Sequence, residues 1–460
     1  MEDLVAKHVV ESAFSAFDAE TIQATKHHIL HTIVCAVAGS NAPGIQPLHD
    51  LAVEGSGGKS TVLVHGSKLT AMNAAMVNSS MAHAQDFDMN DDRTFYKSSV
   101  AVVPATLAVA EEIGGIDGRE FLTAVCTGID LGIRIGLAVM PKPAHARSQM
   151  IGGFAAVAAV ARLLKLDREQ MLDALGIVYC QVAASGSSND SPALTKRLAP
   201  GLASRAGVFS ARLGQKGFKS GRNVLSGKRG FFRQYHDEEG DLEAITSGLG
   251  ERWELVNVGP KGYPCCRVLH APIDATLAAV KEHGIKSDEV ESVVVRGSAS
   301  NIFITTGEKK PASAEKYRHP KGVVDAQFSV HWAVAAAIAR GAVFIDCFTE
   351  DAIKDPVINS LTDRIDLVAD PSLDPSKDIL APAIVEITTK NRGTFFMRAN
   401  FAKGNPSNPV SWRETEEAFH RSAPFAAKQI TPQNIDRTIS IIGDLEHVGD
   451  LRVLTAALGG

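Results

Sequence analysis

The chain has 460 residues, 45% hydrophobic and 22% charged, a balance that excludes a wholly disordered chain or a fibre. Its net charge of −5 leaves no electrostatic footprint for nucleic acid. Aromatic residues are only 6%, so the core has to be built largely from Ala, Val, Leu and Ile.

At about 100–200 residues per domain, the length predicts two or three domains. From the start to about residue 260, helical signals dominate. Ile22, Ile29, Ile33 and Ala36 recur on one helical face, and Glu120 to Val139 is a second long periodic stretch. His145-Ala146-Arg147-Ser148 is a polar island before an apolar helix, Gly152 to Leu164. Asp167 followed by Gln170 reads as an N-cap with a reciprocal partner, opening a helix through Cys180. The abundance of Ala and Gly predicts a compact bundle with buried helices.

Around residue 290 the period changes. Val293 to Val295 and Ile365 to Val368 read as strands. Ala383–Thr389 and Thr394–Ala399 flank a hairpin turn at Lys390-Asn391-Arg392-Gly393. Helices are expected over His270–His283 and Asp325–Gly341. Residues 404–409 have linker composition, and helical patterning returns after them. The expected fold class is mainly α: a discontinuous all-helical domain (1–268 and 404–460) carrying a smaller α+β lid (269–403). The six cysteines are sparse and mostly in apolar runs, which predicts reduced thiols rather than a disulfide framework. No basic stretch followed by an apolar run opens the chain, and runs such as Trp332–Ala339 fall short of the ~18 residues that span a membrane. A cytoplasmic protein without nucleic-acid or membrane partners is expected.

Three clusters could carry chemistry. In His83-Ala84-Gln85-Asp86-Phe87-Asp88-Met89-Asn90, the residues Asp86, Asp88 and Asn90 match the first ligands of a calcium loop, but Asp91 replaces its Gly and Lys97 its final Glu. A solvated acidic loop, or a carboxylate at the mouth of an active site, are the other readings. Thr195-Lys196-Arg197-Leu198-Ala199-Pro200-Gly201 places two cations before a Pro-Gly turn; in a cleft, Lys196 and Arg197 would suit a carboxylate-bearing substrate. Lys261-Gly262-Tyr263-Pro264-Cys265-Cys266-Arg267 with His270 has too few spaced ligands for zinc, and structural thiols are favoured. His145 is a candidate for proton transfer near neutral pH. No GxGxxG, P-loop, HExxH or GxSxG is present, so nicotinamide, nucleotide, zinc-peptidase and serine-hydrolase chemistry lack support.

Taken together, His83 to Asp88, Thr195 to Gly214, Lys261 to Ala275 and Asp325 to Ser329 resemble segments of the MmgE/PrpD family, which includes 2-methylcitrate dehydratase, cis-aconitate decarboxylase and iminodisuccinate epimerase. The resemblance runs nearly end to end. It implies a helical domain and an α+β lid with the site between them, a homodimer, no metal or organic cofactor, and a small di- or tricarboxylate substrate. By position, Asp86, Lys196 and Lys261 match functional residues of the decarboxylases, and His145 matches a second functional His if one residue is inserted after it. A family His falls at Lys97, with Tyr96 the neighbouring alternative. Another family His is Cys266 here, and a family Tyr is Trp332.

The resemblance implies proton abstraction beside a carboxylate. Lys196, Arg197 and Lys261 would neutralise carboxylates, with Arg147, Tyr96, Cys266 and Trp332 as further binding residues. Lys97 or His145 would carry the proton, with Asp86 beside them. The altered positions favour an epimerase of the iminodisuccinate type, in which two groups work from opposite faces. A dehydratase or other lyase is the alternative, and a non-catalytic ligand-binding relative the second.

Overall fold

The computed structural model describes residues 1–55, 57–139, 147–183, 193–236, 240–301, 317–374 and 380–459. His145 lies outside these, as does the side chain of Arg147, whose backbone opens a helix. The protein is mainly α with a smaller α+β part. It separates into two compact units, Met1–Pro260 with Ser411–Gly460, and Lys261–Val410. The junctions therefore fall at 260/261 and 410/411 rather than at 268/269 and 403/404.

The larger unit is helical. Helix α1 (Glu2–Glu11) precedes α2 (Ala19–Gly39), whose N-cap Asp18 accepts from the Thr21 amide at 2.8 Å. Next come α3 (Ile45–Glu54), α4 (Ala71–His83), α5 (Val102–Ile113) and α6 (Gly118–Ala138). They are followed by α7 (Arg147–Leu163), α8 (Arg168–Tyr179) and α9 (Thr195–Gln215). The capping box expected at Asp167 and Gln170 is present at the start of α8. Small residues let the central helices approach closely. A Cβ on Gly207 of α9 would stand 2.5 Å from Ala156 Cβ of α7, and one on Gly201 would stand 2.2 Å from Ser80 Oγ of α4. Helix α6 is long and apolar enough to cross a membrane, but 94% of its apolar window is buried inside the protein, as befits a core helix.

The C-terminal segment is built into this unit. The Lys26 ammonium of α2 is buried; it donates to the Gly443 carbonyl at 2.8 Å and pairs with Glu446. The smaller unit has a four-stranded sheet of β3 (Val290–Gly297), β4 (Ile365–Ala369), β5 (Ala383–Thr389) and β6 (Gly393–Ala399), in the order β4-β3-β5-β6. A short ladder of the larger unit, β1 (Ser60–Thr61) with β2 (Lys68–Leu69), precedes these in the chain. Val293 pairs with Ile365 in parallel and Ile387 in antiparallel fashion, and β5–β6 form the expected hairpin. Alternate residues of β5 are buried, and His270–His283 packs on β5 and β6. The helix expected over 325–341 is instead two, Val323–Gln327 and Val330–Arg340, because Ser329 breaks it and caps the second through the Trp332 amide at 2.9 Å.

Candidate active site

Helix α4 ends at His83, and the chain reverses through Asp86 in a left-handed conformation (φ 50°), which Asp tolerates better than most residues. The reversal returns Asp88 to the helix end. Its Oδ1 lies 3.0 Å from His83 Nδ1, and both side chains are buried. A carboxylate can only accept, so Nδ1 carries the proton and Nε2 presents its lone pair. Burial lowers the His83 pKa, Asp88 opposes that and Lys196 adds to it, so the imidazole is neutral at pH 7.

Lys196 comes from the first turn of α9. Its Nζ lies 2.7 Å from Asp86 Oδ1 and 3.5 Å from His83 Nε2. Two features of α9 are unfavourable on stability grounds. Cations at a helix N-terminus oppose the macrodipole, and Pro200 inside the helix cannot donate to the Lys196 carbonyl. The expected Pro-Gly turn is therefore absent: Pro200 and Gly201 continue the helix, because only a glycine lets α9 come this close to Ser80 and the Met76 carbonyl of α4. Arg197 is buried with its guanidinium on the Pro43 carbonyl at 2.9 Å; burial lowers its pKa and the Asp86 charge opposes this.

The loop beyond Asp88 is braced by charge. Arg93 grips Asp91 with two bonds of 3.0 Å and Glu254 with one of 2.6 Å. Burial holds the Asp91 carboxyl above the usual range in spite of Arg93. Glu254 donates its amide to Asp130 at 2.6 Å, and Asp130 pairs with the fully buried Arg134 at 2.6 Å. Lys97, half-buried, donates to Asn90 Oδ1, whose amide nitrogen donates to Asp92 at 3.1 Å. The calcium-loop reading thus dissolves: Asp86 turns to Lys196, Asp88 to His83 and Asn90 to Lys97. One ligand atom from each of His83, Asp86 and Asp88 does fall within 4.8 Å of the others, and the Lys196 ammonium supplies positive charge there.

Two residues expected near a substrate are core residues. Tyr96 is wholly enclosed, with its ring against Gly132 of α6, and burial pushes its phenol far above the ordinary range. Trp332 is wholly enclosed in the smaller unit and its indole N–H donates to the Cys347 carbonyl at 2.9 Å.

In the smaller unit, Lys261 is buried and Cys266 half-buried, its amide donating to the Gln327 carbonyl at 2.8 Å. Tyr263 Oη donates to Asp274 at 2.6 Å, and the Lys403 amide donates to the other oxygen at 2.6 Å. Arg267 donates to His270 Nδ1 at 2.9 Å, so that ring holds its proton on Nε2. Burial, with Arg267 and Lys261 adding to it, drives the His270 pKa well below the ordinary value. Among the described residues no group of three metal-type ligands forms at this segment.

The structure thus joins Asp86 to Lys196 and brings His83 and Asp88 to them; the sequence offers Asp88 only as a calcium-loop match and His83 only as part of the segment. Their signal is a His and an Asp five residues apart across a helix end. The family models for the MmgE/PrpD N-terminal and C-terminal domains match residues 3–241 and 263–441. A cis-aconitate decarboxylase-like protein of Aspergillus oryzae is 24% identical over 98% of this chain and 96% of its own. A cis-aconitate decarboxylase of Aspergillus terreus is 24% identical over 96% and 92%, and the human cis-aconitate decarboxylase 26% identical over 84% and 79%.

Proposed function

The chain belongs to the MmgE/PrpD family, and on that footing we propose that it is a lyase that develops negative charge on a carbon beside a carboxylate of a small tricarboxylate, cis-aconitate or a near analogue. The decarboxylases among its relatives support this alternative. They lend nothing to the epimerase drawn from Lys97, Cys266 and Trp332, and the enclosure of Trp332 removes one of its motives. The observation that carries the reading is the Lys196 ammonium seated on the buried Asp86 carboxylate. A cation fixed before substrate arrives stabilises developing carbanion charge without reorganisation.

In the decarboxylation, the bond to one carboxylate breaks and carbon dioxide leaves. The electron pair passes to a carbon next to a remaining carboxylate and takes up a proton there. Lys196, Arg197 and Lys261 are the candidates for holding the remaining carboxylates, with Arg147 and Cys266 as further candidate binding residues. Lys97 and His145 are the candidate proton carriers, and Asp86 seats Lys196. A homodimer in the cytoplasm belongs to the same reading.

The test is the purified protein with cis-aconitate in D2O, followed by NMR. The expected product is a five-carbon dicarboxylate with deuterium on one carbon, formed with carbon dioxide. Exchange of the α-proton of an amino-dicarboxylate without net bond cleavage, and no turnover of tricarboxylates, would overturn the lyase in favour of the epimerase.

A further inference from the structure

We propose that His83, held by Asp88, is a positioning residue that aims the Lys196 ammonium at the substrate. This rests on the lyase reading for its catalytic consequence, but not for its geometry. An ammonium has three donors and no preferred rotation of its own. Asp86 Oδ1 at 2.7 Å takes one direction and His83 Nε2 at 3.5 Å takes another, and the two together fix the rotation and position of the ammonium. The second direction works only if Nε2 is bare. Asp88 ensures this by drawing the imidazole proton to Nδ1 at 3.0 Å. A proton on Nε2 would instead set two donors against each other and swing the lysine away.

The arrangement is local and costly, which argues that it is not incidental packing. A carboxylate–imidazole pair is buried at a helix end, and α9 carries both a proline and a cation at its N-terminus to bring Lys196 there. A salt bridge from Lys196 to Asp86 alone would need neither His83 nor Asp88.

Three variants test it: Asp88→Asn, His83→Gln and His83→Leu. An Asn at 88 can donate to Nδ1 and so stabilise the wrong tautomer. The first readout is 15N NMR of labelled histidine at pH 7.5 together with the 13Cε resonance of Lys196, and needs no activity. The proposal expects a bare Nε2 in the parent, and a moved lysine resonance in Asp88→Asn. The second readout is kinetic with cis-aconitate. Asp88→Asn and His83→Leu should lose about 10- to 100-fold in kcat/KM, mainly through KM, the size typical when a residue that orients another is removed. His83→Gln keeps an acceptor oxygen near the Nε2 position and should stay within about tenfold of the parent. A protonated Nε2 in the parent, or a lysine resonance indifferent to Asp88→Asn, would overturn the proposal. So would equal losses for His83→Gln and His83→Leu with fold retained. A parent that turns over no tricarboxylate but shows the bare Nε2 and the moved resonance would sink the lyase reading and leave the geometry standing.

Discussion

The Nζ of Lys196 and the Oδ1 of Asp86 meet at 2.7 Å, with the carboxylate buried and the lysine a quarter exposed. The two ends of this pair are therefore unequal. Lys196→Met strands a buried carboxylate, whereas Asp86→Asn leaves an ammonium that water still reaches. Chemical denaturation should show Lys196→Met costing about 1–3 kcal/mol, Asp86→Asn less, and the double variant recovering part of the loss. Turnover of cis-aconitate should fall about 100- to 1000-fold in Lys196→Met with the fold retained. Equal destabilisation by the two single variants would contradict the asymmetry.

Close contact between α4 and α9 is what delivers Lys196 to His83, and it depends on a missing side chain. A Cβ at Gly201 would lie 2.2 Å from Ser80 Oγ and 2.6 Å from the Met76 carbonyl. Gly201→Ala should lower stability by about 1–3 kcal/mol and depress turnover together with it. Ser80→Gly in the same chain should restore part of both, since the backbone clash persists. Leu202→Ala, one residue on and partly exposed, should change neither by comparison. Thermal melts and cis-aconitate turnover on the three variants, against the parent, decide the matter.

Much of the scaffold was legible because its signals are local. The Asp167–Gln170 cap, the hairpin at Lys390–Gly393 and the run of valines in β3 each depend on neighbours within a few residues. Pro200-Gly201 misled for a tertiary reason: the glycine serves a helix contact, and that gain keeps the helix running through a proline. The Lys196–Asp86 pair joins residues 110 apart in the chain, so local patterns offer each residue separately and cannot reveal that they pair. The roles of Tyr96 and Trp332 went the other way. Positional correspondence put them near a substrate, while burial makes them core residues. Spacing groups Asp86, Asp88 and Asn90 as like ligands, whereas the left-handed turn at Asp86 sends Asp86 to Lys196 and Asp88 to His83, a pairing that spacing does not reveal.

Arg134 is fully buried and bonds Asp130 at 2.6 Å and the carbonyl of Ser247 at 2.7 Å. Through Asp130 and Glu254 it continues to Arg93 and the Asp91 loop. Arg134→Met removes the cation that, among the described residues, pairs with Asp130, and leaves a carboxylate whose pKa burial already raises. The expected loss is about 3–5 kcal/mol by urea unfolding, against under about 1 kcal/mol for Arg413→Ala on the exposed Glu417 pair. Comparable effects from both would show the buried chain of charges to be dispensable.

Helix α2 carries His27 and His28 on adjacent positions, the first half-buried and the second fully buried, and burial is the main cause holding their pKa values at about 3 and about 4. In the unfolded chain each titrates near 6.5, so as pH falls below that value the unfolded state binds protons that the folded state refuses. Their contribution to stability is fully present above pH 6.5 and is lost on the way down to about 4 for His28 and about 3 for His27. His28 accounts for about 1.4 kcal/mol per pH unit over that window, or about 2 kcal/mol between pH 7 and 5. His28→Gln, which can still donate toward the Leu255 carbonyl that His28 Nε2 contacts at 3.2 Å, should flatten the decline by that amount while remaining folded at pH 7. Urea midpoints at pH 7, 6 and 5 for the parent and the variant would measure the slope. Parallel slopes would mean that His28 is already charged in the folded protein, against its burial.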